Sequence, residues 1–177
     1  MVEAPTGARY ILTAAHVVAG ATSITARPAS GAASTDAVLV AIDAANDVAL
    51  LVADLAIDAL PVGEMAAGDR GAVVVFRADV PTLLEFGIVN PAIVNILDIY
   101  GDSAVGRRGY RVEIEIEAGD SGAVLVGPDG RADGVLYAKT RSTVDNAFAT
   151  GRSAIDALMN RAGAVDRTVG VSAGACP

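Results

Sequence analysis

The sequence predicts an all-β body, a sandwich or a pair of small barrels, followed by one C-terminal helix. Three observations carry that expectation. Short apolar runs punctuated by Gly, Pro, Asn and Asp dominate the first 150 residues, and runs of that length suit strands better than helices. Residues 111–117 read R-V-E-I-E-I-E, a strict period of two. The one convincing helical pattern comes after the last of these runs.

In the first half, strands are expected at 9–13, 22–27, 37–42 and 48–52. Pro61-Val-Gly63 and Gly68-Asp-Arg-Gly71 then break the pattern, as Gly and Pro do between elements. A second set follows at 72–77, 83–89, 110–117, 123–126, 134–138 and 146–149. Pro128-Asp-Gly130 supplies the backbone geometry of a hairpin turn. The helix is expected to start at Thr150 or Ser153, to bury Ile155, Leu158, Met159 and Ala162, and to stop at Gly163. Residues 165–177 are small and polar and are expected to form an extended or disordered end.

The chain has 177 residues, 53% apolar and 19% charged. It can bury a core, and disorder is excluded as a description of the whole. Thirteen basic against 21 acidic residues leave a formal charge of −8, with Lys139 the single lysine. That balance excludes a large phosphate-binding face, so neither nucleic acid nor an anionic membrane surface is an expected partner. The longest stretch free of Asp, Glu, Lys and Arg, 10–26, contains His16, Gly20 and four Ser or Thr residues. It is too polar to span a bilayer, and no signal peptide is visible. The single cysteine, Cys176, makes neither an internal disulfide nor a metal site, and no metal or cofactor is expected.

Three segments carry chemistry, in this order: Thr13-Ala-Ala-His16, Asn46-Asp-Val-Ala-Leu-Leu51 and Gly119-Asp-Ser-Gly122. Serine nucleophilic catalysis needs a hydroxyl, an imidazole to take its proton and a carboxylate to orient that imidazole. Ser121 is the expected nucleophile, His16 the base and then the acid, and Asp47 the orienting group, with Asp43 a nearby alternative. His16 is the only histidine, so no other imidazole can serve. Gly119 allows a sharp turn on which the N–H groups of Gly119 and Ser121 converge as an oxyanion hole. Asp120 reads as part of that turn. With His16 as base, activity is expected to fall in acid.

With these motifs in order, the chain resembles the trypsin-fold serine proteases of the bacterial HtrA-like kind. Asp98-Ile-Tyr-Gly-Asp102 and the ending Gly174-Ala-Cys176 are similar to the actinobacterial membrane-anchored acid-resistance (MarP-like) branch. Leu12-Thr-Ala-Ala-His-Val-Val-Ala-Gly20, the strand after Asp47 and Gly130-Arg-Ala-Asp-Gly-Val135 extend the likeness over most of the chain. The resemblance implies two antiparallel six-stranded barrels with the triad between them. One domain over 1–177 would divide into an N-terminal half-barrel at 1–62, a C-terminal barrel at 63–150, and a helix and tail at 151–177. It also implies a primary specificity pocket at Tyr137, Ala138 and Lys139, with Glu115 near its floor.

The likeness has departures. Ala123 and Val124 follow Gly122 where the family has Gly-Pro. The opening strand of the first barrel is expected to be mostly missing, which would leave an open edge able to self-associate. In the resembled branch a cysteine near this end pairs with one upstream of the first strand, and the membrane anchor also lies upstream. The expected activity is a serine endopeptidase acting through an acyl-enzyme on protein or peptide substrates, in the periplasm or cell envelope and related to stress. A catalytically weak binding or oligomerisation module on the same fold is the alternative, and an acyl hydrolase acting on esters a third.

Overall fold

The computed structural model describes residues 1–139, 146–163 and 168–176. Six strands make the first half: β1 (Val2–Glu3), β2 (Arg9–Thr13), β3 (Ile24–Ala26), β4 (Thr35–Asp43), β5 (Val48–Ala53) and β6 (Leu60–Pro61), with a one-turn helix, α1 (Ala15–Val18), after β2. They form a sheet in the order β3-β4-β5-β2-β1-β6. Its neighbours are antiparallel except for the two-residue pairing of β1 with β6. The expected opening strand is thus a two-residue stub, and β3 and β6 are the ends of an open sheet.

The second half is β7 (Arg70–Arg77), β8 (Val80–Leu97), β9 (Ala104–Glu113), β10 (Val124–Val126), β11 (Ala132–Lys139) and β12 (Asn146–Gly151). These six close into a barrel, in the order β10-β11-β12-β9-β8-β7. Phe86, Val112, Leu125 and Leu136 fill it. Helix α2 (Arg152–Ala162) follows. It crosses back to the first sheet, and its Ile155, Leu158 and Met159 share a core with Tyr10, Leu12 and Leu50. Among the described residues no helix is long and apolar enough to cross a membrane.

Several expectations change. The helix cap is neither Thr150 nor Ser153 but Gly151, with no side-chain capping bond. The Thr150 hydroxyl is committed elsewhere, donating to the Asn46 carbonyl at 2.6 Å. The strand expected at 83–89 runs to Leu97, through Asn90 and Pro91, with an irregularity between Ile88 and Asn90. Its partner begins at Ala104 rather than at 110 and leaves the ladder after Glu113. Inside–outside alternation nevertheless persists through Ile114, Glu115, Ile116 and Glu117. Among the described residues Glu113 is the last on that side to pair with β8 and β12, opposite Gly87 and Asn146. The freed carbonyls of Glu115 and Ile116 accept instead from Arg77 at 3.1 Å and from Lys139 at 3.3 Å.

The tail is ordered against the body over its described part. Val171 N–H donates to Leu39 O at 2.7 Å, Gly20 N–H to Ala173 O at 3.2 Å, and the Tyr100 hydroxyl to Ala173 O at 3.1 Å. Residues 165–167 and 177 of the expected end lie outside the described residues. Cys176 is exposed and rests against Gly20, where a Cβ would meet the Cys176 backbone nitrogen at 2.7 Å.

Candidate active site

Strand β2 ends at Thr13, and the chain turns at once into α1, which places His16 at the mouth of the cleft between the two halves. Backbone and side chain of this residue both meet Asp47. His16 N–H donates to Asp47 Oδ1 at 2.9 Å, and His16 Nδ1 lies 2.9 Å from Oδ2 and 3.0 Å from Oδ1. The imidazole is partly exposed, whereas the carboxylate is buried. With Nδ1 engaged, Nε2 is the nitrogen left to face a reacting group.

Asp47 has a left-handed φ of +55° at the end of the turn between β4 and β5. Non-glycine residues hold that conformation only where their surroundings fix it. Asp43, the other carboxylate of the turn, serves the turn itself. It accepts from Asn46 N–H and from Asn46 Nδ2, each at 3.0 Å, and from Arg161 of α2 at 2.8 Å. Burial pushes its carboxyl up, but these donors outweigh burial and leave it below the usual carboxylate range.

The 119–122 turn lies beside the segment that carries His16. Gly122 has φ +88°, and a Cβ there would run into Thr13 Oγ1 and come within 3.3 Å of Ala14 N. Gly122 N–H donates to Leu136 O at 2.8 Å, and Asp120 N–H to Glu117 O at 3.2 Å. The N–H groups of Gly119 (φ +103°) and Ser121 have no acceptor among the described residues. The Ser121 hydroxyl makes no hydrogen bond to His16 there either. Asp120 is buried and turned away from the cleft, its Oδ2 accepting from Glu117 N–H at 2.8 Å and from Arg77 at 3.0 Å.

Tyr137 and Ala138 line the same cleft as His16 and Asp47, a space of about 430 Å³ walled on the other side by Ile96 to Gly101. Tyr137 is buried, and burial pushes its phenol up to about 12, the facing Arg107 opposing the shift. Lys139 and Glu115 are outside this lining; both are exposed. Two arginines that hold the site were not anticipated. Arg77 closes β7, where nothing local marks it. Arg107 lies in the part of β9 that the sequence did not reveal.

Residues 2–135 match the profile of the trypsin-like peptidase domain. No curated protein matches the chain. Among solved structures it is similar to the Rv3671c protease from M. tuberculosis in its active form. That match has 28% identity and a TM-score of 0.85, and it covers 99% of this chain and 76% of that one. The inactive form of Rv3671c protease matches at 26% identity and a TM-score of 0.76, over 93% of this chain and 82% of the other. The HtrA-type protease AlgW with a decapeptide shares the fold, with a TM-score of 0.73 at 24% identity over 93% of this chain and 51% of that one.

Proposed function

The chain belongs to the trypsin-like peptidase family and is a serine-type peptidase, and from that premise we propose that it is an endopeptidase working through Ser121, His16 and Asp47. Ser121 Oγ attacks the scissile carbonyl carbon while His16 Nε2 takes its proton. The carbonyl oxygen, as charge develops on it, accepts hydrogen bonds from the N–H groups of Gly119 and Ser121. Asp47 holds Nδ1–H and stabilises the imidazolium. Collapse breaks the C–N bond, and His16 hands its proton to the leaving amine. A water molecule then repeats the sequence on the acyl-enzyme, its proton going to Nε2 and then back to Ser121 as the acid departs.

The observation that supports this reading best is the double contact of His16 with Asp47, its Nδ1 2.9 Å from Oδ2, beside a turn with two N–H groups uncommitted among the described residues. The halves at 1–62 and 63–150 then have separate jobs, the first supplying His16 and Asp47 and the second Ser121 and the oxyanion donors. We place the enzyme outside the cytoplasm, in the cell envelope, on the strength of the sequence resemblance. A fluorophosphonate probe tests the chemistry. The wild type should label, and Ser121→Ala and His16→Ala should not. Hydrolysis of a protein substrate that survives Ser121→Ala would remove the assignment.

A further inference from the structure

The β8–β9 hairpin does more than pair two strands of the barrel. Its outer portion continues past the barrel and lies against the turn that carries Asp47. At its tip, Ile99 N–H donates to Ala44 O at 3.1 Å. At the fourth rung from that tip, where Arg107 faces Val94, the Arg107 side chain enters the protein. It is the one buried arginine among the described residues. Its Nε–H donates to Ala45 O at 2.9 Å, one N–H group reaches Asp47 Oδ2 at 3.3 Å, and the guanidinium sits 4.4 Å above the centre of the Tyr137 ring.

A guanidinium withdrawn from water is strongly disfavoured unless its donors are matched. Its placement here therefore has to be read with its partners. Those partners lie on both sides of Asn46, one the carbonyl before it and the other the carboxylate after it. This planar fork spans the turn in a way that a single-point ammonium cannot. The residue so gripped is Asp47, the one at positive φ. The carboxylate oxygen that Arg107 touches is also the one closest to His16 Nδ1.

We propose that Arg107 is a positioning residue which couples seating of the hairpin to the orientation of Asp47, so that His16 is held in its working geometry only while the hairpin is docked. This role rests on the triad reading above, because Arg107 acts through Asp47 on His16. The hairpin also supplies Ile96 to Gly101 to the cleft wall. A substrate that packs on this wall would press the hairpin home and align the base together.

The test uses the full chain and two readouts. The first is steady-state hydrolysis of a peptide substrate. Arg107→Gln should lower kcat about tenfold to a hundredfold with KM little changed, since misplacing a catalytic group slows chemistry without removing a substrate contact. Arg107→Lys, which keeps the charge but not the fork, should recover only part of the loss. The second readout is the low-field Nδ1–H resonance of His16, which a single histidine makes unambiguous. It should be present in the wild type and broadened or lost in Arg107→Gln. Wild-type kcat together with an unchanged resonance would overturn the proposal. Should Arg107→Gln not fold, Ile99→Pro removes the donor that docks the hairpin tip without changing Arg107 itself; an unshifted His16 resonance in that variant would equally overturn it. Activity that persists in Ser121→Ala would count against the triad alone, because the resonance reports on Arg107 without any turnover.

Discussion

Gly122 shows how much one hydrogen atom matters at this site. Its φ of +88° disfavours a side chain, and the space that a Cβ would fill already holds Thr13 Oγ1. The 119–122 turn can therefore lie close to the strand that leads to His16 only because residue 122 has no side chain. Gly122→Ala should force the two apart and reduce probe labelling by about a hundredfold, as displacements near 1 Å do in well-aligned sites. Gly130 is the control. It has φ +75°, but a Cβ there meets nothing within 4 Å, so Gly130→Ala should cost roughly 1 kcal/mol of stability and leave labelling intact. Equal labelling of the two variants would show that the packing at Thr13 is unimportant. The same residue scale separates Asp47 from Asp43. Composition and spacing leave both open, and only the turn decides, by folding Asp43 onto Asn46 and Arg161.

At the scale of elements, the segment between β9 and the 119–122 turn is held by side chains where its ladder has ended. Arg77 does most of this, donating to Glu115 O and Asp120 and pairing with Glu117 at 3.3 Å. Asp120 in turn ties back to Glu117 N–H and fixes the bend on which Gly119 and Ser121 sit. Arg77→Met would leave Asp120 buried without its cation and loosen that bend. Its kcat should drop by about 10²–10³, the loss typical of an impaired oxyanion hole, with a smaller change in KM. A kcat within twofold of wild type would dissociate Arg77 from the turn. Most strands were legible in the sequence because their apolar runs are short and bounded by Gly, Pro, Asn and Asp. The outer half of the hairpin was not. Asn90-Pro91 reads as a stop, and the strand passes it because the ladder with β9 continues on the far side. Arg107 was hidden for the same reason. A lone arginine in an unrecognised strand gives no sign that it will be buried, and its value comes from a turn 60 residues away.

Across the whole molecule, the two halves are joined at more than the cleft. Helix α2 follows the second barrel yet packs into the core of the first sheet, and the 60–63 connection crosses to β11, with Val62 bridging to Ala132 and Gly63 N–H donating to Ala132 O at 3.0 Å. Asp133 is the next residue, and it is buried at this joint with its Oδ2 lacking any hydrogen-bond partner among the described residues. Gly63 and Gly127 press on it from two sides, and a Cβ at either would collide with its carboxyl oxygens. Burial, and then the charge of Asp129, push its carboxyl up from 3.8 to about 6. The folded chain thus prefers the neutral acid more than the unfolded chain does. Stability from this residue is complete below the unfolded value near 4 and is lost as pH rises through about 6. A shift of that size corresponds to roughly 2–3 kcal/mol. Asp133→Asn, which keeps the shape and cannot ionise, should therefore be more stable than wild type at neutral pH, and the advantage should shrink as the pH falls toward about 4. Urea unfolding of both proteins across that range measures the difference directly. Parallel stability curves would show that Asp133 ionises at no cost, and a partner for Oδ2 would then have to exist in solution. If the curves converge in acid as expected, the joint between the halves is firmest under mildly acidic conditions, where the wild type and Asp133→Asn become equivalent.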